Sequence, residues 1–135
     1  MNRHDAREAA LGLVFEKSFQ FDEDPGKLYD TAIAERELEE DEYVRRVLYG
    51  VYDNLEKIDA LIEDAAKGWK IGRMPKVSLA VMRLCVYEML FEKEIPVNVS
   101  LNEAVELAKK FDDDSAPAFV NGVLNTVSKG IDSKE

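Results

Sequence analysis

From Val77 to Phe91 the chain reads Val-Ser-Leu-Ala-Val-Met-Arg-Leu-Cys-Val-Tyr-Glu-Met-Leu-Phe, apolar at every position except Ser78, Arg83 and Glu88. A surface helix keeps a polar face, so a helix apolar nearly all round must be enclosed by other elements. The pattern predicts a central buried helix that organises the fold.

Weaker helical periodicities flank it. From Arg3 to about Phe19, Ala6, Ala9, Ala10, Leu13 and Val14 recur at helical spacing. Phe21 to Gly26 is a turn cluster, with Pro25 suited to the first position of a short helix through Leu28, Tyr29, Ala32 and Ile33. Asp41 is placed to cap a longer pattern through Val44, Val47, Leu48, Val51, Leu55, Ile58, Leu61 and Ile62, with a break expected near Asn54 and an end at Gly68.

Gly68 to Pro75 forms a basic connector whose two glycines and proline resist helix, and Glu94 to Asn98 is a second connector around Pro96. Ser100-Leu-Asn-Glu103 has the form of a capping box, predicted to open a helix with Ala104, Val105, Leu107, Ala108 and Phe111 inward. Ser115 is expected to cap a last helix that turns Val120, Val123, Leu124, Val127 and Ile131 inward. No stretch sustains a period of two, and no internal repeat is present. The expected fold is all-α: a compact bundle of six or seven helices around the central one, in a single domain over residues 1–135.

Composition narrows the class. Apolar residues make up 46% and charged residues 34% of 135 residues, enough to bury a core without disulfides or metals. Met1 to Arg7 lacks the apolar run of a signal peptide, and no segment is apolar enough to span a membrane, so a cytoplasmic protein is expected. The single cysteine, Cys85, falls on the central helix and reads as an inert packed thiol. Net charge is −10, which alone argues against nucleic acid. The charge is segregated, however: residues 22–42 carry ten acids against Lys27 and Arg36, whereas residues 65–83 have no acid and carry Lys67, Lys70, Arg73, Lys76 and Arg83.

Catalysis finds little support. The sole histidine, His4, lies near the terminus, so no triad can be built around a held imidazole. Phosphate-cradling and dinucleotide fingerprints are absent, and Asp112-Asp-Asp-Ser-Ala-Pro117 lacks the alternating ligands and central glycine of a calcium loop. No cofactor and no metal is expected. Binding fits better. Arg3 and Arg7 lie one helical turn apart with His4 adjacent, a set that suits phosphates or stacked bases and equally suits an ordinary solvated surface. Phe119, at the edge of the last apolar stripe, is placed either to stack on a base or to pack at the core margin. Trp69 and Arg73, beside Lys70 and Lys76, are residue types that anchor protein interfaces and also suit a nucleic-acid groove.

Six blocks then match a known family in order and spacing: Ala6-Arg-Glu-Ala-Ala-Leu11, Trp69-Lys-Ile-Gly-Arg73, Met82-Arg-Leu-Cys-Val-Tyr-Glu-Met89, Ile95-Pro96, Leu101-Asn-Glu-Ala-Val-Glu-Leu-Ala-Lys109 and Phe119-Val-Asn-Gly-Val-Leu124. Over essentially its full length the chain resembles the bacterial NusB family. The resemblance implies an all-helical transcription antitermination factor that pairs with NusE, a small-subunit ribosomal protein. The pair binds boxA RNA, notably in ribosomal RNA operons, within the RNA polymerase antitermination complex. It also implies RNA contacts at Arg3, His4, Arg7 and Phe119, and a NusE-facing surface around Trp69, Arg73 and Ser78. The sequence departs from the family's pattern at Asn2 and Asp5, which thin the basic run, and at Gly72 and Ser78, where many members carry an acid. Some NusB proteins form homodimers that cover the RNA surface, and the sequence leaves that state open. The rival reading is a protein-only helical adaptor whose RNA contact is incidental.

Overall fold

The computed structural model describes residues 1–20 and 22–131, which form seven α-helices and one 3-10 turn and contain no strand. The helices are α1 (Arg3–Phe19), α2 (Pro25–Glu35), α3 (Glu42–Asp53), α4 (Leu55–Ala65), α5 (Lys76–Phe91), α6 (Val97–Phe111) and α7 (Ala116–Lys129). The 3-10 turn, Ile71–Arg73, precedes α5. Phe21, the first residue of the predicted turn cluster, lies outside the described residues. The chain divides into two compact units, Met1–Asn54 and Leu55–Glu135.

In the first unit α1, α2 and α3 pack on one another. Asn2, Asp24 and Asp41 each cap a helix by accepting a backbone N–H three residues ahead, from Asp5, Lys27 and Val44. These bonds satisfy donors that a helix start otherwise leaves open. The apolar stripes expected for α1 and α3 are inside: Ala10, Val14, Val44, Val47, Leu48 and Val51 are fully buried. The Tyr52 hydroxyl donates to the Val14 carbonyl at 2.6 Å, tying α3 to α1. Asp41 donates its N–H to the Tyr29 hydroxyl at 3.0 Å, fixing the α3 start against α2. The expected break falls where Asn54 closes α3: its side-chain amide donates to the Gly50 carbonyl at 2.8 Å, competing with helix continuation.

The second unit is built around α5, which packs against α4, α6 and α7. Every residue from Ser78 to Met89 is buried, as an all-round apolar helix requires. Its large members, such as Met82 and Met89, each contribute about 1.5–3 kcal/mol by leaving water. Cys85 is packed among them at 1% exposure. The three polar breaks are all hydrogen-bonded: Ser78 to Asp112, Arg83 to Asp59, and Glu88 to Ser100.

Four local expectations are corrected. Ser100 does not open α6; the helix starts at Val97 behind Pro96, and Ser100 is buried in its second turn, donating to Glu88 instead of capping. Proline suits a helix entry because the missing N–H is not needed there. Ser115 precedes α7 but caps nothing, since its hydroxyl is committed to Asp113 at 2.7 Å. Phe111 is 45% exposed rather than inward, one residue before the chain leaves α6. Ile131 lies beyond the end of α7 at Lys129.

Candidate functional site

The first turn of α1 presents a small polar cluster. Arg3 and His4 are exposed. The Arg3 guanidinium sits over the Tyr43 ring, 4.3 Å from its centroid, an arrangement that holds the cation without neutralising it. His4 Nε2 lies 3.1 Å from the Glu8 carboxylate one turn on. The N-terminal amine pairs with Glu39 at 3.1 Å. Arg7, expected beside Arg3 on the surface, is 4% exposed. Arg7 lies on the covered side of α1 with Ala10, Leu11 and Val14, all buried, whereas Arg3 at the start of the helix stays exposed. Its guanidinium is therefore not presented to solvent with that of Arg3.

A second cluster gathers at the connector before α5. Lys67 and Gly68 leave α4 with positive φ, 32° and 92°, a reversal that suits glycine and that Lys67 adopts less readily. The chain is then pinned by Glu63, whose carboxylate accepts the Ile71 N–H at 2.9 Å, and by Met74, which is buried. The Ile71 bond, together with nearby Lys70, holds the Glu63 carboxyl below its ordinary value. Between these two anchors Trp69 and Arg73 project outward, Trp69 with 48% of its surface exposed.

Trp69 and Phe119 meet. Their ring centroids are 5.5 Å apart with planes tilted by 58°. The two rings wall a pocket of about 180 Å³ completed by Pro75, Ser78, Asp113, Ser115 and Ala116. On the α4 side of Trp69 lies a second hollow of about 410 Å³ that includes Lys67, Lys70, Glu63 and Asp64. Asp113 Oδ1 accepts both the N–H and the hydroxyl of Ser115, at 3.0 and 2.7 Å, and the hydroxyl bond leads in keeping its carboxyl below the ordinary value. Ser78 is fully buried, donating to Asp112 Oδ2 at 2.6 Å, so the hydroxyl expected on the partner-facing surface is turned inward.

The structure thus unites two residues that the sequence reading gave to different partners, Trp69 and Phe119. It leaves Arg3 and His4 in the first unit and Phe119 in the second. Sequence reasoning missed Asp113 and Ser115 as site residues. The run Asp112-Asp-Asp-Ser115 was a visible signal, but only as a turn. Among the described residues no group of three His, Cys, Asp or Glu side chains is placed to hold a metal, and no helix is long and apolar enough to cross a membrane.

Comparison with known proteins agrees with the helical architecture. The model of the NusB family matches residues 4–129. A transcription antitermination protein NusB from Ruminiclostridium cellulolyticum is 42% identical over 132 residues, covering 96% of this chain and 90% of its own. The Bacillus licheniformis protein of the same name is also 42% identical over 132 residues, covering 98% and 100%. Among solved structures, T. maritima NusB superposes with a TM-score of 0.83 at 36% identity, over 96% of this chain and 92% of that one. A crystal structure of antitermination factors NusB and NusE in complex with dsRNA gives 0.83 at 29% identity, over 96% and 99%.

Proposed function

The chain belongs to the NusB family of transcription antitermination factors, which are not enzymes, and on that premise we propose that it binds boxA-type RNA jointly with NusE. In this reading it serves chiefly in ribosomal RNA operons, in the cytoplasm, as part of the RNA polymerase antitermination complex. The two compact units act as one functional domain over residues 1–135, in keeping with a family match that spans both.

The observation that carries the RNA reading is the ring pair of exposed Trp69 and half-buried Phe119, with Trp69 lying in the acid-free run from residue 65 to 83. Aromatic faces take bases irrespective of sequence, and lysines and arginines beside them take the phosphates. Phe119 contacts a base, Arg3 and His4 contact RNA from the first unit, and exposed Arg73 faces NusE. Arg7 and Ser78 are both buried and lie behind these surfaces, Ser78 tying the start of α5 to Asp112. The solved NusB–NusE complex with dsRNA supports the choice of both partners.

The test is a titration of the preformed complex with cognate NusE, using labelled boxA RNA and a scrambled control. Tighter binding of the boxA RNA is expected. Equal, weak affinity for both RNAs would overturn this reading in favour of a protein-only adaptor.

A further inference from the structure

We propose that the pocket walled by Trp69 and Phe119 receives a single unpaired RNA base, which makes Trp69 an RNA-stacking residue rather than a protein-partner contact. The inference rests on the RNA-binding reading above and adds to it a second ring, a cavity and a polar edge.

Four features fit one base better than other occupants. The rings touch at a tilt of 58°, so they do not close into a parallel stack that would occupy both faces. An indole with half its surface in water and a phenyl beside it leave apolar faces that a planar ring would cover. The volume, about 180 Å³, falls below the roughly 300 Å³ at which sites for whole small molecules begin. A ring system fits there; a nucleotide with its sugar and phosphate does not, so the remainder of the ligand must stay outside. Pro75 and Ala116 supply further flat apolar wall.

The polar edge then discriminates. Ser115 holds Asp113 as a carboxylate, and a carboxylate has acceptor sites beyond the two bonds from Ser115. It repels a phosphate and accepts from a ring N–H or an exocyclic amine. Cations suited to phosphate sit on the connector instead, where Lys70 and Lys76 are exposed. Base inward and phosphates outward on the connector is the orientation this charge pattern favours. A protein side chain of similar size would leave the cations without phosphates to meet.

Trp69 is the only tryptophan in the chain, so the chain's own tryptophan emission comes from this pocket. The experiment uses the full chain with cognate NusE and fluorescein-labelled boxA RNA, reading anisotropy for overall binding and Trp69 emission for the pocket. Binding is expected to quench Trp69. Trp69→Ala should raise Kd by about 5- to 150-fold without altering the slope of log Kd against log salt, because the ring carries no charge. Trp69→Phe should recover most of the loss, and the thermal midpoint should hold in both, since the indole is half exposed. Asp113→Asn should reduce the preference for oligo(U) over oligo(3-methyluridine), whose base offers neither a ring N–H nor an exocyclic amine.

RNA binding with neither quenching nor an effect of Trp69→Ala would overturn the base pocket and leave the RNA reading standing. Absence of any anisotropy change with the wild-type complex would overturn both. If Trp69→Ala weakens association with NusE yet leaves RNA binding by the assembled complex intact, the pocket takes a protein side chain and the proposal falls.

Discussion

Arg83 and Asp59 form a two-pronged ion pair across the second unit: Nε to Oδ1 and Nη2 to Oδ2, each at 2.8 Å. The arginine side chain is 9% exposed and the aspartate 20%, so α5 is locked to α4 by charges largely out of water. A pair so placed gives orientation more than net stability, yet losing one member strands the other. Asp59→Ala should therefore lower the unfolding free energy by about 3 kcal/mol. Asp59→Leu combined with Arg83→Met should recover most of it. Urea unfolding followed by far-UV circular dichroism measures both, and a single-mutant loss indistinguishable from zero would refute the lock.

Glu88, fully buried, accepts the Ser100 hydroxyl at 2.7 Å. Ser100→Ala removes that donor from a fully buried carboxyl, at an expected cost of about 1–3 kcal/mol. Ser128→Ala removes an exposed hydroxyl bonded to the Asn125 carbonyl and should cost less than about 0.5 kcal/mol. The comparison of the two unfolding midpoints isolates burial as the cause; equal losses would contradict it.

Arg3 and Arg7 should separate in function. Arg3 is an exposed cation over Tyr43, so Arg3→Ala should flatten the salt dependence of single-stranded RNA binding by about 0.7 units of log–log slope. Arg7 is buried, so Arg7→Ala should lower the thermal midpoint and leave the slope unchanged. Salt titrations of RNA affinity on both variants decide the matter, and a flattened slope for Arg7→Ala would show that its guanidinium reaches phosphate.

The connector carries a pH signature. Glu63 is held below its ordinary value of 4.5, first by the Ile71 N–H and then by Lys70. A depressed carboxyl pKa means that the fold favours the ionised form. The Ile71 bond is therefore fully present above the ordinary value and lost as pH falls through the lower folded value. The Ile71 amide resonance should titrate with a midpoint below 4.5. Glu63→Gln should abolish that titration; its persistence would assign the transition to another group.

Much of the fold is legible in periodicity because burial enforces it. The enclosure of α5, the cap at Asp41, Pro25 at the start of α2 and the break at Asn54 each follow from local chemistry, and the structure has them. Capping at Ser100 and Ser115 was not legible, because each hydroxyl found a partner, Glu88 or Asp113, whose position depends on packing or on the loop path. The candidate site was legible as residue types and not as a constellation. Helical spacing alone puts Arg7 within reach of Arg3, but only the placement of neighbouring helices decides which side of α1 is covered. Nothing in the 49 residues between Trp69 and Phe119 signals that their rings meet.

The enclosure of α5 also bears on how the chain is made. Two of its three neighbours in the second unit, α6 and α7, follow it in sequence. During synthesis the most apolar stretch emerges before most of its cover exists, and a helix with no polar face has no solvated state in which to wait. Ribosome-bound chains ending at Pro96 but carried clear of the exit tunnel on a linker should be protease-sensitive and should recruit holdase chaperones, whereas chains ending past Lys129 on the same linker should be resistant and release them. Vulnerability in the cell would then be concentrated in the interval between the emergence of α5 from the ribosome and that of residues 97–129.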